Sequence, residues 1–336
     1  MSKTQIVIRN LSKTYRVPER EPGLAASLKS LVRRTYRDVE AVCDVSFTVH
    51  AGEMVGFIGP NGAGKTTTLK MLSGLLVPTA GEARVLGFTP WKRQPDYLRR
   101  ISMVLGNKSQ MLWDIPPLDT FRVLGEIYHV PFTEFTQTLD ELVALLDMQD
   151  LLAKPVRNLS LGERMKCELV AGLLHRPEVL FLDEPTLGLD VSMQGRLRRF
   201  LAEYNRRRGT TVILTSHYMA DVVALCPRVI LIHHGQLLYD GALDGLAERL
   251  APFKLIRVAL GNGHARASLG RGHGLALPAG VDVVAREHGR LTLRVSRSEA
   301  APITAHLLNT LPVADLAVED PPIEAVIDQI YQEGAA

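Results

Sequence analysis

The chain has no apolar run long enough to cross a bilayer as a helix. Its longest such stretches, among them Val179-Leu180-Phe181-Leu182 and Val229-Ile230-Leu231-Ile232, have the length of buried strands, against about 20 residues for a spanning helix. A membrane role would therefore come through a partner. Cysteine is scarce: Cys43, Cys167 and Cys226 lie far apart, which suits neither a disulfide framework nor a metal site and fits buried, reduced thiols as in a cytosolic protein. Charge of one sign is also lacking. The 39 Lys and Arg residues nearly balance 36 Asp and Glu, for a net charge of +3, too little for the basic face of a nucleic-acid binder. Met1–Ile8 has no signal-peptide core and reads as a strand. Internal repeats and coiled-coil heptads are not found. What remains is an ordinary globular composition, 46% hydrophobic and 22% charged over 336 residues, a length that favours two domains over one.

Along the chain, residues 1–16 read as a strand and turn. A charged stretch with two prolines and a helix around Leu24–Tyr36 follow, and strand character resumes over Val45–Val49. From residue 53 the pattern is α/β: a strand over Met54–Ile58, a glycine-rich loop, and a helix over Thr66–Leu76. Residues 107–175 look mostly helical, with Phe135–Leu146 as the clearest amphipathic piece. Strands return at 178–183, 211–215 and 228–233, with a charged helix over Gln194–Arg207 between them. This alternation predicts a mainly parallel sheet with helices packed on it. Five glycines between Gly261 and Gly274 mark a break in composition. Beyond it come a hairpin, Val281–Ala285 and Leu291–Val295 around Glu287-His288-Gly289, a helix over Ala300–Leu311, a strand over Val313–Val318 and a helix over Ile323–Tyr331. The last helix carries an apolar stripe, Ile323, Val326, Ile327 and Ile330, that needs a buried place.

Two motifs carry chemistry on their own residues. Gly59-Pro60-Asn61-Gly62-Ala63-Gly64-Lys65-Thr66 fits G-x-x-x-x-G-K-[ST] between a predicted strand and a predicted helix. Its glycines let successive backbone N–H groups curl around phosphate oxygens at a positive helix end. Lys65 would reach the outer phosphates, and the Thr66 hydroxyl would hold Mg²⁺. The second motif is an apolar strand, Val179–Leu182, that ends in Asp183 and Glu184. Strand carboxyl ends face the ligand crevice of a parallel sheet. Alternating side chains let the two acids divide the work: Asp183 on Mg²⁺, Glu184 orienting and polarising the attacking water.

Asn158-Leu159-Ser160-Leu161-Gly162-Glu163-Arg164 resembles the LSGGQ signature of ATP-binding-cassette (ABC) ATPases. With Gly59–Thr67, Leu187-Gly188-Leu189-Asp190 (similar to the D-loop) and Thr215-Ser216-His217 (similar to the switch histidine), the resemblance spans residues 4–250. It implies a P-loop NTPase core with a helical subdomain, binding ATP and Mg²⁺ in a head-to-tail pair of subunits. Each ATP would sit between one subunit's phosphate loop (Gly59, Pro60, Asn61, Gly62, Ala63, Gly64, Lys65, Thr66 and Thr67) and the other's Ser160, Gly162 and Glu163, with Asp190 alongside. Ser160 and Glu163 also fit a Ser-x-x-Glu capping box, and both roles can hold together. Leu161 stands where the family has Gly, and Glu163 where it has Gln. Tyr15 resembles the A-loop aromatic that stacks on adenine; the other reading is a packing residue. By spacing from Pro116-Pro117-Leu118-Asp119, Asn107 takes the place of the Q-loop glutamine, with Gln110 the alternative. Its shorter amide can approach Mg²⁺ or the attacking water, directly or through a second water.

Val85-Leu86-Gly87, Pro90–Arg93, Leu112–Pro116 and Pro155–Ser160 look like bacterial type-2 exporter ATPases of the drug- and polysaccharide-export kind, as does Val318–Glu324. The expected domains are an ABC ATPase over 1–250, holding an insertion at 17–38 and the helical subdomain at about 107–175, and a small C-terminal α+β appendage over 251–336. In the insertion, Leu24, Leu28, Leu31 and Val32 form an apolar stripe among Lys29, Arg33, Arg34 and Arg37. That pattern suits an anionic membrane surface or a partner groove, or packing on its own domain. The arginines Arg196, Arg198, Arg199, Arg206, Arg207 and Arg208 read as a solvated helix face, and His233-His234 as a strand-end turn. The resemblance implies an ATPase that powers a separate permease from the cytoplasmic side of the inner membrane, without nucleic acid as a partner. A soluble cassette protein acting on the ribosome is the alternative, but such chains usually carry two cassettes, and here there is one phosphate loop and one signature. A GTPase is disfavoured because Asn107-Lys108-Ser109-Gln110 lacks the guanine-reading Asp.

Overall fold

The computed structural model describes residues 3–19, 35–106, 108–246, 253–260, 280–287, 290–321 and 325–327. Most of the insertion, Asn107, the glycine-rich stretch at 261–274 and most of the last helix lie outside these residues. The chain divides into two compact units, Met1–Gly241 and Ala242–Ala336, a boundary slightly before the expected 250.

In the first unit, β1 (Thr4–Glu19) and β2 (Thr35–His50) form a long antiparallel pair, joined on the other side of β1 by β4 (Ala80–Val85). From sequence pattern alone the first strand ends at 16, and Thr35 and Tyr36 fall in a helix. Instead, pairing continues to Glu19↔Thr35, with Pro18 opposite Tyr36. β4 pairs with β1 only as far as Ser12. Beyond it β1 has no second strand partner among the described residues, and a proline lacking N–H is tolerated at such an edge.

The second sheet has six strands in the order β5-β6-β7-β3-β8-β9. These are β3 (Met54–Ile58), β5 (Ile101–Leu105), β6 (Val179–Asp183), β7 (Thr211–Thr215), β8 (Arg228–His233) and β9 (Gln236–Ala242). The first five are mutually parallel. β3, β6 and β7 are buried along their whole length, which is why each is a nearly unbroken apolar run rather than an alternating one. Val55, Phe57, Val179, Phe181, Ile213, Ile230 and Ile232 point into one core shared with the antiparallel sheet and with α1 (Lys65–Leu72). β8 and β9 meet through His234 and Gly235, whose consecutive φ values of 46° and 77° are those of a tight hairpin turn. This turn also grips the loop before α1: Gly235 N–H donates to the Ala63 carbonyl at 3.1 Å, and Cys43 N–H to the Gly235 carbonyl at 2.8 Å.

The predicted helical stretch holds α2 (Pro117–Ile127), α3 (Phe132–Leu146) and α4 (Leu161–Leu173). β5, at its amino-terminal margin, went unread because five residues between Arg100 and Gly106 are too few to show a period. α5 (Val191–Arg208) and α6 (Met219–Leu225) complete the unit. The arginines of α5 are largely paired at the surface, Arg206 and Arg207 with Glu203 and Arg208 with Glu141. No described helix is long and apolar enough to cross a membrane.

The second unit is an antiparallel sheet, β11-β12-β10-β13, with α7 (Ala300–Thr310) packed on it. Its strands are β10 (Phe253–Leu260), β11 (Asp282–Glu287), β12 (Arg290–Ser296) and β13 (Val313–Glu319). β10, absent from the sequence reading, lies centrally between β12 and β13. The expected hairpin is present as the β11–β12 pair, its two turn residues lying outside the described set. Of the terminal stripe, Val326 and Ile327 are described, and both are buried.

Candidate functional site

The carboxyl ends of β3, β6 and β7 are aligned by their parallel register, Asp183 standing opposite Thr215. From β3 the chain turns through Gly59–Gly64 into α1. Gly64 caps that helix in a left-handed conformation at φ 104°, with no side-chain cap. The first N–H groups of α1 thus face the loop mouth without an intramolecular acceptor from the cap. Only glycine fits here, since a Cβ on Gly64 would lie 2.3 Å from the Ala41 carbonyl oxygen. Lys65 is 5% exposed and lies across the loop, its Nζ donating to the carbonyls of Gly59 at 2.6 Å and Pro60 at 3.0 Å. Burial pulls its ammonium below the ordinary 10.5, against the opposing pull of Glu184 and Asp183.

Thr66 Oγ1 donates to Asp183 at 3.1 Å (Oδ1) and 2.9 Å (Oδ2), and Thr215 Oγ1 donates to Asp183 Oδ1 at 2.7 Å. Three hard oxygen-bearing side chains therefore meet beside the loop, a donor set suited to a small divalent cation. Glu184 follows in a left-handed backbone conformation, φ 55°, uncommon for a residue with a Cβ. Its N–H is held by Thr215, at 3.1 Å from both the carbonyl and the hydroxyl oxygen. This turn sends the Glu184 carboxylate toward His217, whose Nε2 is 2.8 Å away. Asp183 is buried, Glu184 half-buried and His217 exposed.

A second group forms around α4. Ser160 caps it with a reciprocal box: Glu163 N–H donates to Ser160 Oγ at 3.3 Å, and Ser160 N–H to Glu163 Oε2 at 2.7 Å. These bonds with Ser160 hold the Glu163 carboxyl below its ordinary range. Asp190 caps α5, accepting from Met193 N–H at 2.9 Å. The two helix starts interlock. A Cβ on Gly162 would lie 3.1 Å from the Met193 side chain, and one on Gly188 would lie 3.0 Å from Leu161 Cδ2. Leu161, where the signature pattern has Gly, thus packs over the loop that leads to Asp190.

Tyr15 stands apart on β1 opposite Val39, with the Lys13 ammonium 5.4 Å from its ring centroid. Asn107 lies outside the described residues. Gly106, next to it, donates its N–H to the Asp183 carbonyl at 2.8 Å. Gln110, the alternative, turns to α4, its N–H 3.1 Å from Glu168 Oε1 and its side-chain amide 3.5 Å from the Glu168 carbonyl.

Sequence reasoning missed two buried carboxylates. Asp221, fully buried, accepts from Thr186 at 2.5 Å and Ser216 at 2.8 Å, and Arg198 Nε is 3.1 Å away without hydrogen-bond alignment. It joins the loop after Glu184 to the loop holding His217. Glu168 accepts from Ser109 Oγ at 2.5 Å and from the N–H groups of Gln110 and Met111. Burial raises its pKa, and these hydrogen bonds oppose the rise. The available signal was an acid at a buried position in the apolar helix Met165–Leu173, where an unpaired charge would be costly.

A glycine-lined loop on a helix N-terminus, a Thr/Asp pair and a carboxylate–imidazole pair at the carboxyl end of a parallel sheet define a nucleoside triphosphatase site. The comparisons agree. The ABC transporter family model matches residues 42–187, and the model of the EvrA-like ABC transporter C-terminal domain matches 252–319. The ABC transporter ATP-binding protein NatA of Bacillus subtilis is 36% identical over 210 residues, 62% of this chain and 85% of that protein. The linearmycin resistance ATP-binding protein LnrL of the same organism is 30% identical over 305 residues, 87% of this chain and 94% of that one. Among solved structures, an ABC transporter ATP-binding subunit aligns with a TM-score of 0.60 at 23% identity, covering 73% of this chain and 92% of that chain. An ATP-binding cassette in a dimeric post-hydrolysis state with ADP and Pi gives 0.59 at 21%, covering 71% and 98%. The chain belongs to the ABC transporter family, as an ATP-binding, ATP-hydrolysing subunit.

Proposed function

We propose that this subunit powers an exporter by closing and opening as a head-to-tail pair of identical chains around two ATP molecules. In this reading the Gly59–Thr67 loop wraps the phosphates and Lys65 neutralises their charge. Thr66 and Asp183 would hold Mg²⁺, which would supply charge neutralisation for the phosphates, with Asn107 as a further oxygen ligand or water-positioning amide. Glu184 orients and polarises the attacking water, and His217 keeps that carboxylate aimed and meets the γ-phosphate. Ser160, Gly162 and Glu163, with Asp190 beside them, complete the site on a second copy's ATP, and Tyr15 stacks on the base. The observation that carries the reading is the meeting of Thr66, Asp183 and Thr215 beside the Glu184–His217 pair.

The export role is supported by the names of relatives, among them bacitracin transport, doxorubicin resistance and Nod factor export proteins, which favour transport over the ribosome-acting alternative. The partner is a membrane permease carrying the subunit on the cytoplasmic side of the inner membrane. For docking, Leu112, Trp113, Val123, Ile127 and Phe132 are exposed on and before the helices α2 and α3, an apolar concentration of the kind that marks an interaction face. The test is co-expression with a multispanning membrane protein encoded beside this chain. Export and membrane co-purification should both require the pair. A chain that never leaves the soluble fraction, and binds ribosomes instead, would overturn the reading.

A further inference from the structure

The side of α4 that meets β5 carries Glu168 and Gly172, four residues apart on one helix face, and His175 follows in the turn just past the helix end. At its far end His175 Nε2 lies 3.0 Å from the Ile101 carbonyl oxygen. In the middle, Gly172 lets the helix close onto the strand, because a Cβ there would lie 2.8 Å from Val104 Cγ2 and 2.9 Å from Ser102 Oγ. At the near end, Glu168 reaches past the strand to residues 109–111. The helix therefore runs antiparallel to β5, and its start, Ser160–Gly162, projects beyond the strand's carboxyl end.

The Glu168 contact differs in kind from the other two. It is a carboxylate only 4% exposed, and every contact it makes in this cage is to a donor: Ser109 Oγ at 2.5 Å, Gln110 N–H at 3.1 Å and Met111 N–H at 3.4 Å. All three converge on Oε1, and Gln110 N–H also lies 3.2 Å from Oε2, so one side chain is the common acceptor for the whole segment. The segment it grips is anchored at its other end to the acidic pair. Gly106 N–H donates to the Asp183 carbonyl at 2.8 Å, and a Cβ on Gly106 would lie 2.2 Å from the Glu184 carbonyl oxygen.

We infer that Glu168 is a positioning residue: its carboxylate fixes the Ser160–Gly162 turn relative to Asp183 and Glu184 of the same chain, and so sets the geometry in which two chains close on ATP. It belongs to neither of the two groups proposed to meet nucleotide. Glu168→Met keeps the length of the side chain but removes both acceptor oxygens, so the grip on residues 109–111 is lost while the phosphate loop is untouched.

The inference rests on the paired-site reading, and the test separates the two. ATP-driven dimerisation of the full chain is followed by sedimentation in a Glu184→Gln background, with and without Glu168→Met. Nucleotide affinity of the dilute monomer and the melting temperature are measured alongside. The single variant should dimerise with ATP. The double variant should need about tenfold more protein for half-dimerisation, the scale expected for losing a buried charged hydrogen-bond set. Its monomer affinity for ATP should stay within about twofold of the single variant's. Ser109→Ala, which removes only the side-chain donor, should give a smaller shift, and adding it to Glu168→Met should change nothing more. Equal dimerisation of the single and double variants overturns the role of Glu168 alone. Parallel loss of ATP affinity and melting temperature makes Glu168 a fold support and overturns it too. A single variant that stays monomeric brings down the paired-site reading and this inference with it.

Discussion

His217 Nε2 stands 2.8 Å from Glu184 Oε1, bridging the loops that leave two adjacent parallel strands, β7 and β6. The pair depends on the left-handed turn at Glu184, which Thr215 pins from both its hydroxyl and its carbonyl. Placement of the carboxylate is therefore set by backbone, and the imidazole then holds its aim. His217→Ala should lower kcat by about a hundredfold, the scale of a lost acid–base partner, with the KM for ATP changed by less than about threefold. Steady-state ATPase kinetics decide it. An unchanged kcat would remove His217 from the site.

Gly64 links the phosphate loop to β2. Alanine there must abandon φ 104° and clear the Ala41 carbonyl, which a Cβ would approach to 2.3 Å. Strained positions of this kind cost about 1–3 kcal/mol, and relief here would move the start of α1. Gly64→Ala should lower the denaturation midpoint and lose ATP binding together. Retention of ATP affinity would mean that the loop tolerates a different path.

His175 makes acid a stress on the first unit. It is half-buried, its ring stacks on Tyr128 at 3.8 Å, and loss of solvent around it holds its pKa below the ordinary 6.5 despite the opposing pull of the Ile101 carbonyl. As pH falls through 6.5, the unfolded chain binds a proton here that the folded chain refuses, so stability falls toward acid and is recovered as pH rises. His175→Gln should be less stable than the parent at about pH 7.5, through loss of the stack, and the gap should narrow at about pH 5.5. Melting temperatures at the two pH values test it; a gap that stays constant contradicts the assignment.

Trp113 is half exposed, with the Arg164 guanidinium 5.0 Å from its ring. Exposed Trp residues of this kind anchor interfaces. Trp113→Ala should reduce export by about tenfold or more while the ATPase activity of the isolated subunit stays nearly intact. Assaying both on one preparation checks it, since equal losses would assign Trp113 to folding.

Most of the parallel sheet was legible because buried strands such as Val179–Asp183 are continuous apolar runs, and the phosphate loop because glycine spacing reports backbone geometry directly. Less was legible wherever long-range pairing decides. β1 continues through Pro18 because β2 returns beside it, a fact no local pattern carries. β5 is too short to show a period, and β10 shows its role only as the middle strand between β12 and β13. At the site, Asp183 and Glu184 stood out as adjacent acids at a strand end. Asp221 and Glu168 did not, because their partners lie on segments that only folding brings together.

The central claim is that two chains close on ATP and that Glu184 is needed for hydrolysis but not for closure. Sedimentation velocity of the Glu184→Gln chain with saturating Mg²⁺ and ATP, and again with ADP, tests it most directly, with Lys65→Ala as the non-binding control. The account predicts a dimer retaining two ATP molecules with ATP, a monomer with ADP, and a monomer throughout for Lys65→Ala. A Glu184→Gln chain that remains monomeric at saturating ATP would contradict it.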